Sequence, residues 1–234
     1  MRMSIILAIE TSSDIASAAL LNGERVIARE SAGVQTHSHS ILPMVQSLLL
    51  EAGLSLGQCD AIAFGCGPGS FTGVRTACGI VQGLAFGQNL PVIPVVTLLA
   101  MAQACRAVHG ADDVLAVLDA RMGEVYWAQY RYDQGWKTIT EPTLSAVEAI
   151  SPIGKVVACG NGLQVYAASV DPQLSVVDVA SPIMPRAEHV AQLGQIAMSL
   201  GQSVHAREAQ PLYLRNKVAL TTAERQQKAA ESTV

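Results

Sequence analysis

Charged and aromatic residues are scarce in this chain of 234 residues. Asp, Glu, Lys and Arg make up 15% of it and aromatic residues 4%, whereas 50% of the residues are hydrophobic. Disordered chains are polar and highly charged, so this composition predicts a folded protein with a substantial core. The net charge is −4 at pH 7, so the chain has no overall surplus of Lys and Arg. Such a surplus is typical of proteins that bind nucleic acid by neutralising its phosphates. If RNA is involved, we expect another protein to hold it.

Targeting and membrane signals are also missing. The first apolar run is short and meets Glu10, so we expect no signal peptide and a cytoplasmic protein. No charged residue lies between Thr76 and Cys105, but polar residues and two prolines interrupt that stretch. We therefore predict a buried helix, a turn and a buried strand there, and no membrane span.

Patterns that hold metals or carry out thiol chemistry are absent too. The five cysteines are odd in number and form no Cys-x-x-Cys pair. Cys66 has no histidine near it in sequence to act as a base, so a cysteine nucleophile is not expected. His37 and His39 lie two positions apart, whereas helical zinc pairs lie four apart. We predict no metal site, and a capping role for this Ser- and His-containing segment at the start of a helix.

A pattern of strands repeats in the two halves of the chain. Apolar runs at 5–9, 15–21 and 25–30 predict a three-stranded meander, with Asn22-Gly23 as its second turn. The same order recurs at 114–117, 124–132 and 136–140, and in each half the first strand ends at a carboxylate, Glu10 or Asp119. The offset of about 109 residues predicts a duplicated unit.

Helices and strands alternate after the first meander. We predict helices at 40–52, 70–86 and 97–108 and strands at 60–64 and 92–96, followed in the second half by a strand at 156–158 and helices at 163–169 and 187–200. This order predicts an α/β protein whose mixed, mainly parallel sheets are covered by helices. A boundary near His109-Gly110 divides the chain into halves 1–109 and 110–218, and we expect 219–234 to be a frayed tail.

A glycine-rich turn at 65–73 lies between a predicted strand and a predicted helix. Such turns can bind phosphate through backbone N–H groups at a helix N-terminus. A dinucleotide site would also need an acidic residue about 20 positions later, but no Asp or Glu occurs from Ala61 to Ala111. A P-loop would need a lysine, and this stretch has none. In a duplicated fold the turns after Glu10 and Asp119 would face each other across a cleft. Two interpretations stay open: a tight turn capped by Ser70, or a weak nucleotide or anion site formed by Thr11, Ser12, Gly67, Gly69, Ser70 and Asp119.

Small residues form a stripe along the predicted helix 70–86. The stripe consists of Thr72, Thr76, Gly79 and Gly83, with Gly87 just beyond. Each mid-helix glycine costs roughly 1 kcal/mol relative to alanine, so close approach of another helix should compensate. That helix could belong to the same chain or to a partner. The scarcity of charge in this region favours the partner interface.

Together these motifs resemble the bacterial TsaB (YeaZ) family. The resemblance rests on residues 6–12, His37-Ser38 with Leu42-Pro43, and the segments 67–75, 119–126 and 211–215. It implies an actin-like ATPase-domain (ASKHA) fold of two ribonuclease-H-like halves. It also implies a role in making N6-threonylcarbamoyladenosine in tRNA. In that family the paralogue TsaD performs the transfer, TsaB is its noncatalytic partner, and the ATPase TsaE joins the complex.

The resemblance has further implications for partners and cofactors. The partner surface would lie on the helices 40–52 and 70–86, including Leu42 and Val45. The same surface would form a homodimer in isolation, in competition with the TsaD-like partner, and tRNA would be reached only through the complex. No cofactor of its own is expected, and ATP or ADP would bind, if anywhere, at the interface of the complex. The alternative is an active ATPase or phosphotransferase of the same fold that uses Thr11, Ser12 or Asp119.

Overall fold

Two five-stranded sheets with the same strand order form the framework of the protein. The computed structural model describes residues 4–32, 37–171, 174–177 and 182–215; the predicted tail 219–234 lies outside them. The first sheet contains β1 (Ile5–Glu10), β2 (Ile15–Asn22), β3 (Arg25–Ala32), β4 (Ala61–Gly67) and β5 (Val92–Val96) in the order β3-β2-β1-β4-β5. The meander β1–β3 is antiparallel, and β4 and β5 run parallel to β1.

The second sheet repeats this topology. It contains β6 (Asp113–Arg121), β7 (Glu124–Tyr132), β8 (Trp136–Ala146), β9 (Val157–Cys159) and β10 (Ser175–Val176) in the order β10-β9-β6-β7-β8. The strands β6–β8 form an antiparallel meander, and β9 is parallel to β6. The predicted duplication and fold class are confirmed.

Helices cover both faces of the first sheet, which is why β1 is apolar and buried along its whole length. On one face Leu7 and Ile9 pack against α1 (His37–Ala52) and α2 (Phe71–Gln88). On the other face Ile6 and Ala8 pack against α3 (Thr97–His109) and α5 (Ala187–Ser199). Successive residues of a strand point to opposite faces, so a strand covered on both sides needs an unbroken apolar run.

Helix ends and some strand lengths differ from the sequence prediction. Helix α1 starts at His37, three residues earlier than predicted, and β8 extends to Ala146. The predicted helix 163–169 is divided into α4 (Asn161–Val165) and a 3-10 turn (Ala167–Ser169). The capping role predicted for the histidines is wrong for His37, whose buried ring has no hydrogen-bond partner among the described residues.

The division of the chain into continuous halves is wrong at its C-terminal end. Helix α3 does end at Gly110, whose φ of 68° closes the helix, as the sequence predicts. Helix α5, however, packs on the first sheet, and Gly194 allows it to approach so closely that a Cβ there would lie 2.7 Å from the Cβ of Ala63. The apolar face of α5 thus covers a side of β1 and β4 that would otherwise meet water.

The last described segment, 203–215, also returns to the first half. Val204 pairs with Val92 at the edge of β5, and Gln82 of α2 donates to the carbonyl of Ala209 at 2.9 Å. Leu212 N donates to Cys66 O at 2.7 Å. We call residues 203–215 the C-terminal segment. In the described part of the chain no helix is long and apolar enough to cross a membrane.

Candidate functional site: the cleft and the outer face of α2

A cavity of about 310 Å³ opens between the two halves, where the turns after β1 and β6 face each other. The first half contributes the β1–β2 turn and the start of α2, and the second half contributes the β6–β7 hairpin. The C-terminal segment closes one end with Leu212, Tyr213, Leu214 and Arg215. The structure therefore forms the cleft that the duplicated turns predict. Of the six candidate nucleotide or anion residues, four line it: Ser12, Gly69, Ser70 and Asp119.

The glycine-rich turn lies directly on the β1–β2 turn. Ser70 N donates to Ser12 O at 2.7 Å, and a Cβ at Gly69 would lie 2.5 Å from that same oxygen. Gly73 lacks the Cβ that would overlap the carbonyl of Thr11, and its own carbonyl accepts a hydrogen bond from Thr11 Oγ1 at 2.7 Å. These glycines allow two backbone segments to touch.

Several donors that could bind an anion are used inside the chain. Ser70 caps α2 by accepting from Gly73 N at 3.4 Å, and Ser12 N donates to the Glu10 carboxyl. Thr11 is fully buried, and Gly67 N donates to Thr97 Oγ1 at 3.2 Å. Neither of these two lines the cavity. The hydrogen bonds thus favour the tight-turn interpretation of this segment over the phosphate site.

Glu10 is fully buried at the end of β1 and does not line the cavity. Its Oε1 accepts from Ser12 N at 2.5 Å, while its Oε2 has no hydrogen-bond partner in the described structure. The carboxyl occupies space that exists because residue 65 is glycine; a Cβ there would overlap it. Burial raises the pKa of Glu10 above its usual value, because charge is costly away from water. This carboxyl is therefore not placed to hold a metal ion in the cleft.

The neighbouring thiol is inert for the same reason. Cys66 is buried beside Glu10, and burial together with that carboxyl raises the pKa of Cys66 to about 12. A thiol nucleophile needs the opposite, a lowered pKa. Cys66 is thus a core residue.

Asp119 lines the cavity but also holds the tip of the β6–β7 hairpin. Its Oδ1 accepts from Arg121 N at 2.8 Å and from Tyr166 OH at 3.1 Å. Arg121 and Met122 have φ of 62° and 59°, a left-handed conformation in which side chains other than Gly and Asn are uncommon. The hairpin thus places two large side chains at the mouth of the cleft.

Arg75 and the segment 211–215 belong to the motifs that carry the family resemblance, but the sequence does not predict how they meet. The Arg75 guanidinium lies 3.7 Å from the centre of the Phe71 ring, and its Nε donates to Tyr213 OH at 2.7 Å. Arg215 forms an ion pair with Glu124 and donates to Met122 Sδ at 3.1 Å. The C-terminal segment therefore connects α2 to the β6–β7 hairpin. Among the described residues no group of three His, Cys, Asp or Glu side chains is arranged to hold a metal ion.

The glycine stripe of α2 faces outward. A Cβ at Gly79, Gly83 or Gly87 would meet no atom of the described residues within 4 Å, and all three positions are exposed. The opposite face packs in the core through Val74, Ala77, Cys78, Val81 and Ala85. The sequence left open whether the stripe packs inside the monomer, and within the described residues it does not. Thr72 is exposed, Thr76 is half-buried, and Phe86 near the end of the stripe is 83% exposed.

Helix α1 contributes less to this surface than predicted. Leu42 is 43% exposed and is available to a partner, but Val45 is 3% exposed and lies in the core with Ile41 and Leu48. The assignment of Val45 to a partner surface is wrong, because its side chain is already covered by the first sheet and α2. Leu50 of the same helix is more exposed than Leu42, at 83%.

Comparison with known proteins identifies the family. TsaB from Haemophilus influenzae, named a tRNA threonylcarbamoyladenosine biosynthesis protein, is 42% identical over 226 residues, which are 91% of this chain and 94% of the relative. TsaB from Escherichia coli is 40% identical over 221 residues, 92% of this chain and 96% of the relative. The chain belongs to the TsaB family. Residues 24–223 also match the sequence profile of TsaD, the tRNA N6-adenosine threonylcarbamoyltransferase.

The solved structures agree with the family assignment. YeaZ from Pseudomonas aeruginosa is 38% identical, covers 91% of this chain and 100% of its own, and superposes with a TM-score of 0.85. A second Pseudomonas aeruginosa structure, of an uncharacterised protein described as similar to the peptidase YeaZ, is 37% identical with the same TM-score and coverage. The resemblance to the TsaB (YeaZ) family is thus confirmed.

Proposed function

We propose that this chain is the noncatalytic subunit that binds and supports a TsaD-like transferase in the synthesis of N6-threonylcarbamoyladenosine in tRNA. Its relatives are named for that pathway. The observation that carries the proposal is the outward-facing glycine stripe of α2, a helix surface with no partner in the described monomer. Glycines inside a helix lower its stability, and close contact with a partner helix in a complex would compensate for this loss.

The stripe has the geometry of a helix-docking groove. Gly79, Gly83 and Gly87 are spaced four residues apart, so they follow one row along the helix surface. Without side chains this row is a shallow groove that the ridge of a second helix can enter, with axes closer than the usual 8–10 Å. The exposed Phe86 and Leu42 lie on the two helices of this surface and would contribute apolar contacts.

The cleft supports a subunit without chemistry of its own. Glu10 is buried beneath its turn, and Asp119 holds the hairpin tip. The hydrogen bonds recorded for Ser12, Ser13 and Ser70, within the described residues, go to backbone and hydroxyl groups and not to a histidine base. A serine nucleophile would need such a base. A peptidase activity therefore gains no support from this cleft.

The proposal extends to the remaining components of the pathway. A TsaE-like ATPase would join the pair, and ATP or ADP would bind at the interface of the complex. The chain would form a homodimer through the same α2 surface when the transferase is absent. The tRNA would be contacted through the complex, because the net charge of −4 opposes direct binding. The site of action would be the cytoplasm, where tRNA is modified.

The test is complex formation by stripe variants. Gly83→Leu and Gly79→Leu fill the groove but leave the core face of α2 unchanged. The matched control is Ala107→Leu, the same kind of change at an exposed position of α3. Light scattering of each purified chain, alone and mixed with the TsaD-like protein of the same organism, should show that only the stripe variants lose the complex. A stripe variant that still forms it would count against the proposal.

An ATPase or phosphotransferase is the second candidate, and the cavity of about 310 Å³ is the observation that favours it. It requires magnesium-dependent ATP turnover by the purified chain. It also requires that Ser12→Ala or Asp119→Asn reduce this turnover. We expect no turnover above that of a buffer control. Turnover that is abolished by either substitution would replace the scaffold proposal.

A further inference from the structure

Arg75 is the one charged residue of helix α2, and it lies beside the glycine stripe. It is exposed on the same side of the helix as Gly79 and Phe86, four and eleven positions later, while the core residues occupy the opposite side. Eleven residues are about three turns, or about 16 Å of helix. The outer face of α2 thus has a positive charge near its first turn and an aromatic ring near its last.

The side chain of Arg75 is held in place by two aromatic rings. Its guanidinium carbon lies 3.7 Å from the centre of the Phe71 ring and 5.5 Å from the centre of the Tyr213 ring. Its Nε donates to Tyr213 OH at 2.7 Å, and the two rings lie 5.6 Å apart. Such contacts favour a cation over the ring face. The guanidinium is therefore held in one orientation although the residue is exposed.

These contacts leave part of the guanidinium unused. Within the residues that the structure describes, Nε of Arg75 has a hydrogen bond, but its two Nη groups have neither a hydrogen bond nor an ion pair. Arg29 and Arg131, which are also exposed, are paired with Glu51 and Asp113. Two adjacent Nη groups in a planar guanidinium match the two oxygens of one carboxylate. Arg75 is thus ready to receive a carboxylate from outside the chain.

A second copy of this chain does not supply that carboxylate from the same surface. Helix α2 contains no Asp or Glu, and the one carboxylate of α1 is Glu51, which is paired with Arg29. A homodimer through these helices would bring together two Arg75 side chains with no free carboxylate from either helix. A charge that loses water without gaining a partner lowers affinity. The Arg75 side chain therefore disfavours the homodimer relative to a complex with an acidic partner.

A single positive charge also fits a carboxylate better than a nucleic acid. Proteins bind phosphate backbones with clusters of Lys and Arg. Helices α1 and α2 contain no Lys, and Arg75 is their one Arg. The outer surface of these helices therefore favours a protein partner.

We propose that Arg75 selects the transferase over a second copy of this chain by pairing with a carboxylate of the helix that enters the α2 groove. The inference rests on the proposed function and adds the chemistry of the partner. Because Arg75 precedes Gly79 by one turn, the partner would carry an Asp or Glu about one turn from the residue that packs over Gly79. The positive charge is paired in the complex with the transferase and unpaired in the homodimer.

Affinity measurements with the full chain test this inference. Arg75→Met keeps a long apolar side chain without the charge, and it should weaken the complex with the TsaD-like protein of the same organism by at least about tenfold in calorimetric titration. Between about 0.05 M and 0.5 M salt the wild-type affinity should fall, and that of Arg75→Met should change less. Arg75→Lys keeps the charge and should retain this salt dependence. Light scattering on dilution should show that the Arg75→Met homodimer dissociates no more readily than wild type.

The matched control is Arg131→Met, which changes an exposed, paired arginine of β7 outside the proposed surface and should leave the affinity unchanged. If Arg75→Met binds the transferase as tightly as wild type while Gly83→Leu abolishes the complex, this inference is wrong and the proposed function stands. A wild-type chain that forms no complex would overturn both. Equal weakening of the homodimer and of the complex would show that Arg75 does not select between them.

Nucleic acid provides the remaining outcome of the test. An Arg75→Met chain could assemble with normal affinity and yet give a complex that binds tRNA more weakly. The guanidinium would then contact phosphate and not a carboxylate of the partner, and this result would also overturn the inference.

Discussion

Replacing the stripe glycines by alanine should raise the stability of the isolated chain while weakening its complexes. A methyl group at Gly79 or Gly83 meets no atom within 4 Å in the described part of the chain, so it costs no packing strain. Alanine is favoured over glycine inside a helix by roughly 1 kcal/mol, in part because it restricts the unfolded chain. Each substitution should therefore raise the melting temperature of a chain of this size by roughly 2–4 °C.

The same substitutions should lower the affinity for a partner, although they raise the stability of the isolated chain. Two methyl groups in the groove of α2 would hold a partner helix away from its backbone, so the double variant Gly79→Ala, Gly83→Ala should bind the TsaD-like protein more weakly. Urea unfolding at low protein concentration, where the proposed homodimer would dissociate, measures the free energy of unfolding. Calorimetric titration with the TsaD-like protein measures the affinity of the proposed complex.

Gly194→Ala is the matched control for this change. Its new Cβ would lie 2.7 Å from the Cβ of Ala63 in the core, so it should destabilise the chain by about 1–3 kcal/mol. The same substitution of glycine by alanine should thus raise the free energy of unfolding at Gly83 and lower it at Gly194. A destabilised Gly83→Ala variant would refute the assignment of the stripe to an outer face, and unchanged binding would refute its role as an interface.

The other predictions concern the buried turn and the C-terminal segment. Burial raises the pKa of Glu10 in the folded chain, so protonation of Glu10 favours the folded state. This contribution to the free energy of unfolding is fully present below the usual pKa of 4.5 and is lost as pH rises through the folded pKa, by at most about 1.4 kcal/mol per pH unit. Urea unfolding from acidic to neutral pH should therefore show wild type losing stability relative to Glu10→Gln; parallel curves would contradict this. Gly65→Ala should destabilise the fold by about 1–3 kcal/mol because its Cβ overlaps the Glu10 carboxyl, and by less in a Glu10→Ala background; equal losses in both backgrounds would disprove the overlap. Tyr213→Phe removes the acceptor of Arg75 Nε at an exposed site and should cost at most about 1 kcal/mol in thermal unfolding, and a larger loss would show that the hydroxyl has a further role.

The predictions that succeeded rest on local patterns. The meanders, the alternation of helices and strands, and the end of α3 at Gly110 follow from apolar periodicity and turn residues. The wrong predictions concern which side of a helix faces the core and which segments far apart in sequence pack together. Leucines at 42, 48, 49 and 50 blur the apolar face of α1, so the sequence did not show that Val45 points into the core while Leu42 and Leu50 are exposed.

At the candidate site, too, local sequence features were predicted and contacts between distant segments were not. The glycine-rich turn and the carboxylates near the ends of β1 and β6 were visible in the sequence, and the duplication predicted that the turns beside them face each other across one cleft. That Glu10 is buried depends on Gly65 of a neighbouring strand, and that the glycine stripe faces outward depends on which face of α2 the first sheet covers. Contacts between segments far apart in sequence have no local signal.

By itself the sequence determined the α/β class, the duplicated unit, the cleft-forming turns and the family, since each depends on residue types at short or regular spacing. Only the tertiary structure decided that α5 and the C-terminal segment belong with the first sheet, and that Arg75 meets Tyr213. It also brought the indole of Trp136 to Gln103 of α3, and Gln103 to Gln192 of α5. The physical reason is that apolar surface is buried wherever it fits, whatever the distance along the chain, and polar side chains then bond to the neighbours this packing brings them.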